Sequence, residues 1–80
     1  MKLPRNLSGA QLIRALSKLG YAATRQTGSH VRLSCEVPLQ HHITVPLHDP
    51  LRIGTLAAIL AEVADAQALT RDELLQILFG

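Results

Sequence analysis

Residues 25–33 read RQTGSHVRL, and the fold turns on whether this stretch is one strand or two. Thr27-Gly28 makes it two: glycine adopts positive φ without a Cβ penalty, so TG predicts a tight hairpin connection centred on Gly28. Reading forward, Val31, Leu33 and Cys35 alternate with His30, Arg32 and Ser34. One face of that strand is therefore apolar, and the opposite face carries the histidine and the arginine. Reading backward, YAATRQ (21–26) is the partner strand. Arg25 then lies just across the hairpin from His30 and Arg32.

The neighbouring segments extend this hairpin into a domain. VPLQ (37–40) connects to a third strand, HHITV (41–45), with Ile43 and Val45 on one face and His42 and Thr44 on the other. Pro46 ends the strand because it has no ladder donor. Upstream, LSGAQLIRALSKLG (7–20) predicts a helix over 8–19: Ser8 and Gln11 match a capping box, Leu7 can staple onto Leu12, and Gly20 stops the helix. Downstream, GTLAAILAEVADA (54–66) places Leu56, Ile59, Leu60 and Val63 on one helical face. LTRDELLQIL (69–78) repeats the capping-box pattern with Thr70 and Glu73, and Asp72 suits the positive end of the helix dipole. The expected class is α+β, ordered α-β-β-β-α with an extra short C-terminal helix. A three-stranded antiparallel sheet carries the helices on one face, in a single domain over residues 1–80.

Composition narrows the function classes. The apolar share is 48%, but Tyr21 and Phe79 are the only aromatic residues. The core is aliphatic, and recognition by stacking bases on aromatic rings is disfavoured. Cys35 is the one cysteine; it has no internal disulfide partner, and its place in the alternation predicts a buried strand thiol and a reducing compartment. No apolar run approaches the roughly 20 residues of a membrane span, and MKLPRNLSG lacks the apolar stretch of a signal peptide. The expectation is a cytoplasmic protein with no membrane association. Charge is divided along the chain: residues 1–52 hold seven basic against two acidic residues, and residues 53–80 one against four. The basic half also carries the histidines, which points toward a phosphate-bearing ligand.

His30, Arg32 and Arg25 share the open sheet face, with Thr27, Ser29 and the amides of the Gly28 turn nearby. Such a set could hold a phosphodiester and place an imidazole against it. Imidazole, with an unperturbed pKa of about 6.5, is suited to moving a proton near neutrality. RNA carries its own nucleophile, the ribose 2′-OH. Residue type alone leaves two readings of His30 open, a surface histidine and a general base. No metal site is expected, because His41 and His42 point to opposite faces and no further His, Cys or carboxylate ligands stand at a metal-site spacing. His41, His42 and His48 are expected as surface or loop residues, with His48 a candidate contact near the substrate. Ser29 and Cys35 lack an activating constellation for nucleophilic catalysis, and Gly54-Thr55 is assigned to helix capping.

RQTGSHVRL, HHITVPLHDP (41–50) and IGTLAAILAEV (53–63), in this order and spacing, resemble the HicA toxin family of mRNA interferases from type II toxin–antitoxin pairs. The resemblance runs over about residues 8–78. It implies a double-stranded-RNA-binding-domain-like fold and a toxin endoribonuclease whose single catalytic histidine falls on His30, with Gly28 and Ser29 completing the motif. It further implies no cofactor, an mRNA substrate and a HicB-type antitoxin that blocks the site. Arg25 and Arg32 are then the expected phosphate contacts, alongside Gly28 and Ser29. The net charge of +2 is low for an RNA binder, so contacts should concentrate in a small patch. Glu62 and Asp65 also stand on the second helix, where basic character is expected. A non-catalytic module of the same fold, binding double-stranded RNA or another protein, is the alternative.

Overall fold

A computed structural model describes residues 2–80. The order is α1 (Gly9–Leu16), β1 (Ala22–Thr27), β2 (His30–Cys35), β3 (His41–Pro46), α2 (Ile53–Ala66) and α3 (Arg71–Phe79). The sheet is antiparallel with strand order β1-β2-β3. This is the expected α+β arrangement with its additional C-terminal helix.

Helices α1 and α3 start where their capping residues dictate. Helix α2 instead begins at Ile53 with Arg52 at its N-cap and no side-chain cap, so Gly54 and Thr55, expected to cap it, lie within its first turn. Ser8 Oγ accepts from the Gln11 amide at 3.1 Å while Gln11 Oε1 accepts from the Ser8 amide at 2.9 Å. Thr70 and Glu73 make the same reciprocal pair at 3.1 and 2.9 Å. Two orphan donors are satisfied at each of these two N-termini, which is worth about 1 kcal/mol per cap. The first helix tightens after Leu16 into a 3₁₀ turn, Ser17–Leu19, and Gly20 closes it at φ 87°.

Val31, Leu33, Cys35, Ile43 and Val45 point from the sheet into the core and meet Leu12 and Leu16 of α1 and Leu56, Ile59, Leu60 and Val63 of α2. Leu74, Leu75 and Leu78 of α3 complete this core, with α3 packed against α1 and α2. Each fully buried leucine stabilises the fold by about 1.5–3 kcal/mol relative to exposure. Cys35 is buried as expected.

Two local details differ from the sequence reading. The two-residue hairpin loop is Gly28-Ser29, because Thr27 still pairs with His30. Gly28 has φ 58° and Ser29 no positive φ, the pattern of a type II′ turn with glycine first. In addition, the β1–β2 register shifts between Ala23 and Arg25, a bulge at Thr24 just beyond the Arg25–Arg32 pair, which the two-residue loop itself sets. β1 is an edge strand, exposed along its whole length.

Candidate functional site

The sheet register builds the open face in rows. His30 stands between Thr27 of β1 and Pro46 of β3, Arg32 between Arg25 and Thr44, and Ser34 between Ala22 and His42. Arg25, Thr27, His30, Arg32 and Thr44 line one shallow cavity of about 240 Å³. The structure thus gathers His30, Arg25 and Arg32, as the strand alternation anticipated, and adds Thr44.

Arg25 and Arg32 are direct cross-strand partners. Like charges placed opposite one another in a sheet are destabilising, and neither guanidinium has a carboxylate partner among the described residues. An anion between them would relieve that repulsion. Fork-shaped guanidinium donors match phosphate oxygens. His30 is exposed beside them, and its ring makes no hydrogen bond within the described residues, so both ring nitrogens are open to a ligand.

Gly28 and Ser29 shape this site from the side. The Gly28 carbonyl accepts from Gln26 Nε2 at 3.0 Å, and the Ser29 carbonyl accepts from the Leu47 amide at 2.6 Å. Neither residue lines the cavity around His30. The bond to Leu47 ties the turn to the loop after β3, and His48 in that loop lies close to His30, ring centroids 6.5 Å apart with an interplanar angle of 68°.

The remaining histidines divide between the two faces. His42 is exposed as expected; its Nδ1 is 2.6 Å from Ser34 Oγ, which is 3.2 Å from Thr24 Oγ1. His41 departs from the surface expectation. It is half-buried on the core side, with Nδ1 2.8 Å from the Tyr21 hydroxyl, its ring edge-on to the tyrosine ring, and Nε2 3.8 Å from Glu62. Burial pushes the Tyr21 phenol up to about 12; the Gln67 hydrogen bond works against that shift, and Cys35 and Glu62 add to it. Among the described residues, no three His, Cys, Asp or Glu side chains stand together as metal ligands do.

The basic residues of the N-terminal half do not converge on His30. Lys2, Arg5 and Arg52 line a separate cavity of about 670 Å³ together with Arg71 from α3, and Arg14 and Lys18 line another against Leu78 and Phe79. Only Arg25 and Arg32 share the histidine's cavity. Chain position gave the sign of the charge but not its distribution in space.

An open sheet face carrying a histidine beside two arginines that have no carboxylate partner among the described residues, backed by an aliphatic core, defines a small α+β protein with a candidate anion site. The sequence profile described as HicA toxin of bacterial toxin–antitoxin matches residues 9–64, and the chain belongs to the HicA toxin family. Comparison with curated proteins and with solved structures gave no significant match. Membership makes the chain the toxin of a toxin–antitoxin pair, from a family that generally cleaves RNA and is paired with an antitoxin. The matched segment includes His30, both arginines and His48. It stops before α3, which contributes three buried leucines to the core.

Proposed function

We propose that the protein is an mRNA interferase that cleaves RNA by metal-independent, histidine-dependent attack of the ribose 2′-OH. The observation that carries this reading is the like-charged Arg25–Arg32 pair facing open solvent in the same cavity as His30. That arrangement costs the fold stability and becomes favourable when a phosphate lies between the guanidiniums.

In this mechanism His30, unprotonated, accepts the 2′-OH proton. The 2′-oxygen attacks the adjacent phosphorus, and Arg25 and Arg32 neutralise the charge that builds on the non-bridging oxygens. Donors positioned in advance at developing charge need no reorganisation as the reaction proceeds. The Gly28-Ser29 turn sets the approach by holding His30 at the start of β2. A HicB-type antitoxin binding over this exposed face would silence the toxin by covering His30, and the cytoplasm is where such a pair meets mRNA.

The products identify the chemistry. Attack by the 2′-oxygen leaves a 2′,3′-cyclic phosphate and a 5′-hydroxyl, so ³²P-labelling with polynucleotide kinase should succeed on the 3′ fragment without prior phosphatase treatment. A fragment bearing a 5′-phosphate would mean that water or another group attacks phosphorus, and the assignment of His30 would fail.

A further inference from the structure

We infer that His48 is a second catalytic residue, the general acid that protonates the departing 5′-oxygen. This rests on the ribonuclease reading above and supplies the proton donor that reading leaves unassigned.

Three observations place His48 for this role. Its ring stands 6.5 Å from that of His30, centroid to centroid, and the two rings meet edge to face. That is too far for a hydrogen bond between the rings, and it is close to the span of two hydrogen bonds laid end to end, about 6 Å. A phosphodiester can therefore be contacted by one ring at its 2′ side and by the other at its 5′ side. The loop is also held on both sides of His48. Leu47 donates to the Ser29 carbonyl at 2.6 Å, and the His48 carbonyl accepts from the Gly9 amide at 2.9 Å. The backbone around His48 is thereby fixed both to the turn that opens β2 and to the start of α1. Finally, the His48 ring is exposed and makes no hydrogen bond within the described residues, so nothing in the fold uses it.

The proton balance is complete. The 2′-OH proton passes to neutral His30, the 2′-oxygen–phosphorus bond forms, the phosphorus–5′-oxygen bond breaks, and the proton on the His48 imidazolium passes to the 5′-oxygen. The ionic groups near the pair are Arg25 and Arg32 from the sheet and Asp49 next in the loop; the first turn of α1, with Ser8, Gly9, Ala10 and Gln11, brings none. A base that must be unprotonated and an acid that must be protonated give a bell-shaped pH profile, with His48 responsible for the fall on the alkaline side.

The test changes the leaving group. An RNA that the wild type cuts is synthesised with the bridging 5′-oxygen at the mapped cut site replaced by sulfur, because a thiolate departs without a proton. On the oxygen substrate, His48→Ala should lose at least about 100-fold, the lower end of what general acid catalysis contributes, and should lose the alkaline limb. On the sulfur substrate the same variant should recover to within about tenfold of wild type, while His30→Ala remains impaired on both. A His48→Ala defect of equal size on both substrates, or no defect on oxygen, would overturn the assignment and leave the His30 mechanism standing. A wild type that cuts no RNA in the preceding mapping step, so that no cut site exists to modify, would overturn the ribonuclease reading itself, and this inference with it.

Discussion

Gly9 is the position where one added methyl group should do the most damage. It opens α1, is buried, and its amide donates to the His48 carbonyl at 2.9 Å. A Cβ built there would stand 3.0 Å from both the Leu47 Cα and the Pro46 carbonyl carbon, and inside contact distance of the Pro46 carbonyl oxygen. All three atoms are backbone, so no side-chain rotation relieves the clash and the loop itself must shift. Overpacking of this kind costs about 1–3 kcal/mol, and stretching the Gly9–His48 bond adds about 0.5–1.5 kcal/mol. The helix propensity of alanine returns at most about 1 kcal/mol. The net expectation for Gly9→Ala is a loss of about 0.5–3.5 kcal/mol, against the roughly 4–12 kcal/mol expected for a domain of this size, with Tm lowered by about 4–8 °C for each kcal/mol lost. Gly54→Ala is the matched control: it lies in the first turn of α2 with nothing within 4 Å of the added Cβ, so it should be neutral or stabilise by about 0.4–1 kcal/mol. Urea and thermal denaturation of both variants decide the matter. Gly9→Ala as stable as the wild type, or Gly54→Ala losing as much, would refute the close approach of α1 to the loop.

Other substitutions separate stability from activity. Arg32→Ala removes the like-charged cross-strand pair, so the denaturation midpoint should rise by the equivalent of about 0.2–1 kcal/mol while the rate of RNA cleavage falls. Tyr21 is the sole tyrosine, and its phenol is raised to about 12, against about 10 in the unfolded chain. The stability it contributes is therefore fully present below pH 10 and lost as pH climbs from 10 to 12; ultraviolet titration should read the raised value, and Tyr21→Phe should flatten that part of the stability profile. Leu75→Ala, at a fully buried position of α3, should cost about 2–5 kcal/mol in chemical denaturation.

The hairpin was legible because three signals agreed: a glycine needing positive φ, a strict apolar alternation after it, and a short strand before it. Both full capping boxes were legible for the same kind of reason, since each is a local exchange of hydrogen bonds between residues three apart. The opposition of Arg25 to Arg32 was not. It depends on where the two-residue loop falls: a Thr27-Gly28 loop would set Arg25 opposite His30, whereas the Gly28-Ser29 loop, one residue later, sets it opposite Arg32. His41 was misplaced at the surface because alternation sets a residue's face but not how deeply that face is covered, and the Tyr21 hydroxyl that meets it lies 20 residues away in the chain. Proximity of His48 to His30 follows only from the strand register. Pro46 pairs with His30, so the residue two positions later is still beside it.

The most direct measurement is cleavage of a labelled RNA by the purified protein in excess EDTA, alongside His30→Ala. Proton transfer by a positioned side chain contributes roughly 100- to 10,000-fold. The prediction is that the wild type cleaves with EDTA present and that the variant loses at least about 100-fold while keeping its fold by circular dichroism. Cleavage unchanged by the substitution, or abolished in the wild type by EDTA, would contradict a metal-independent ribonuclease centred on His30.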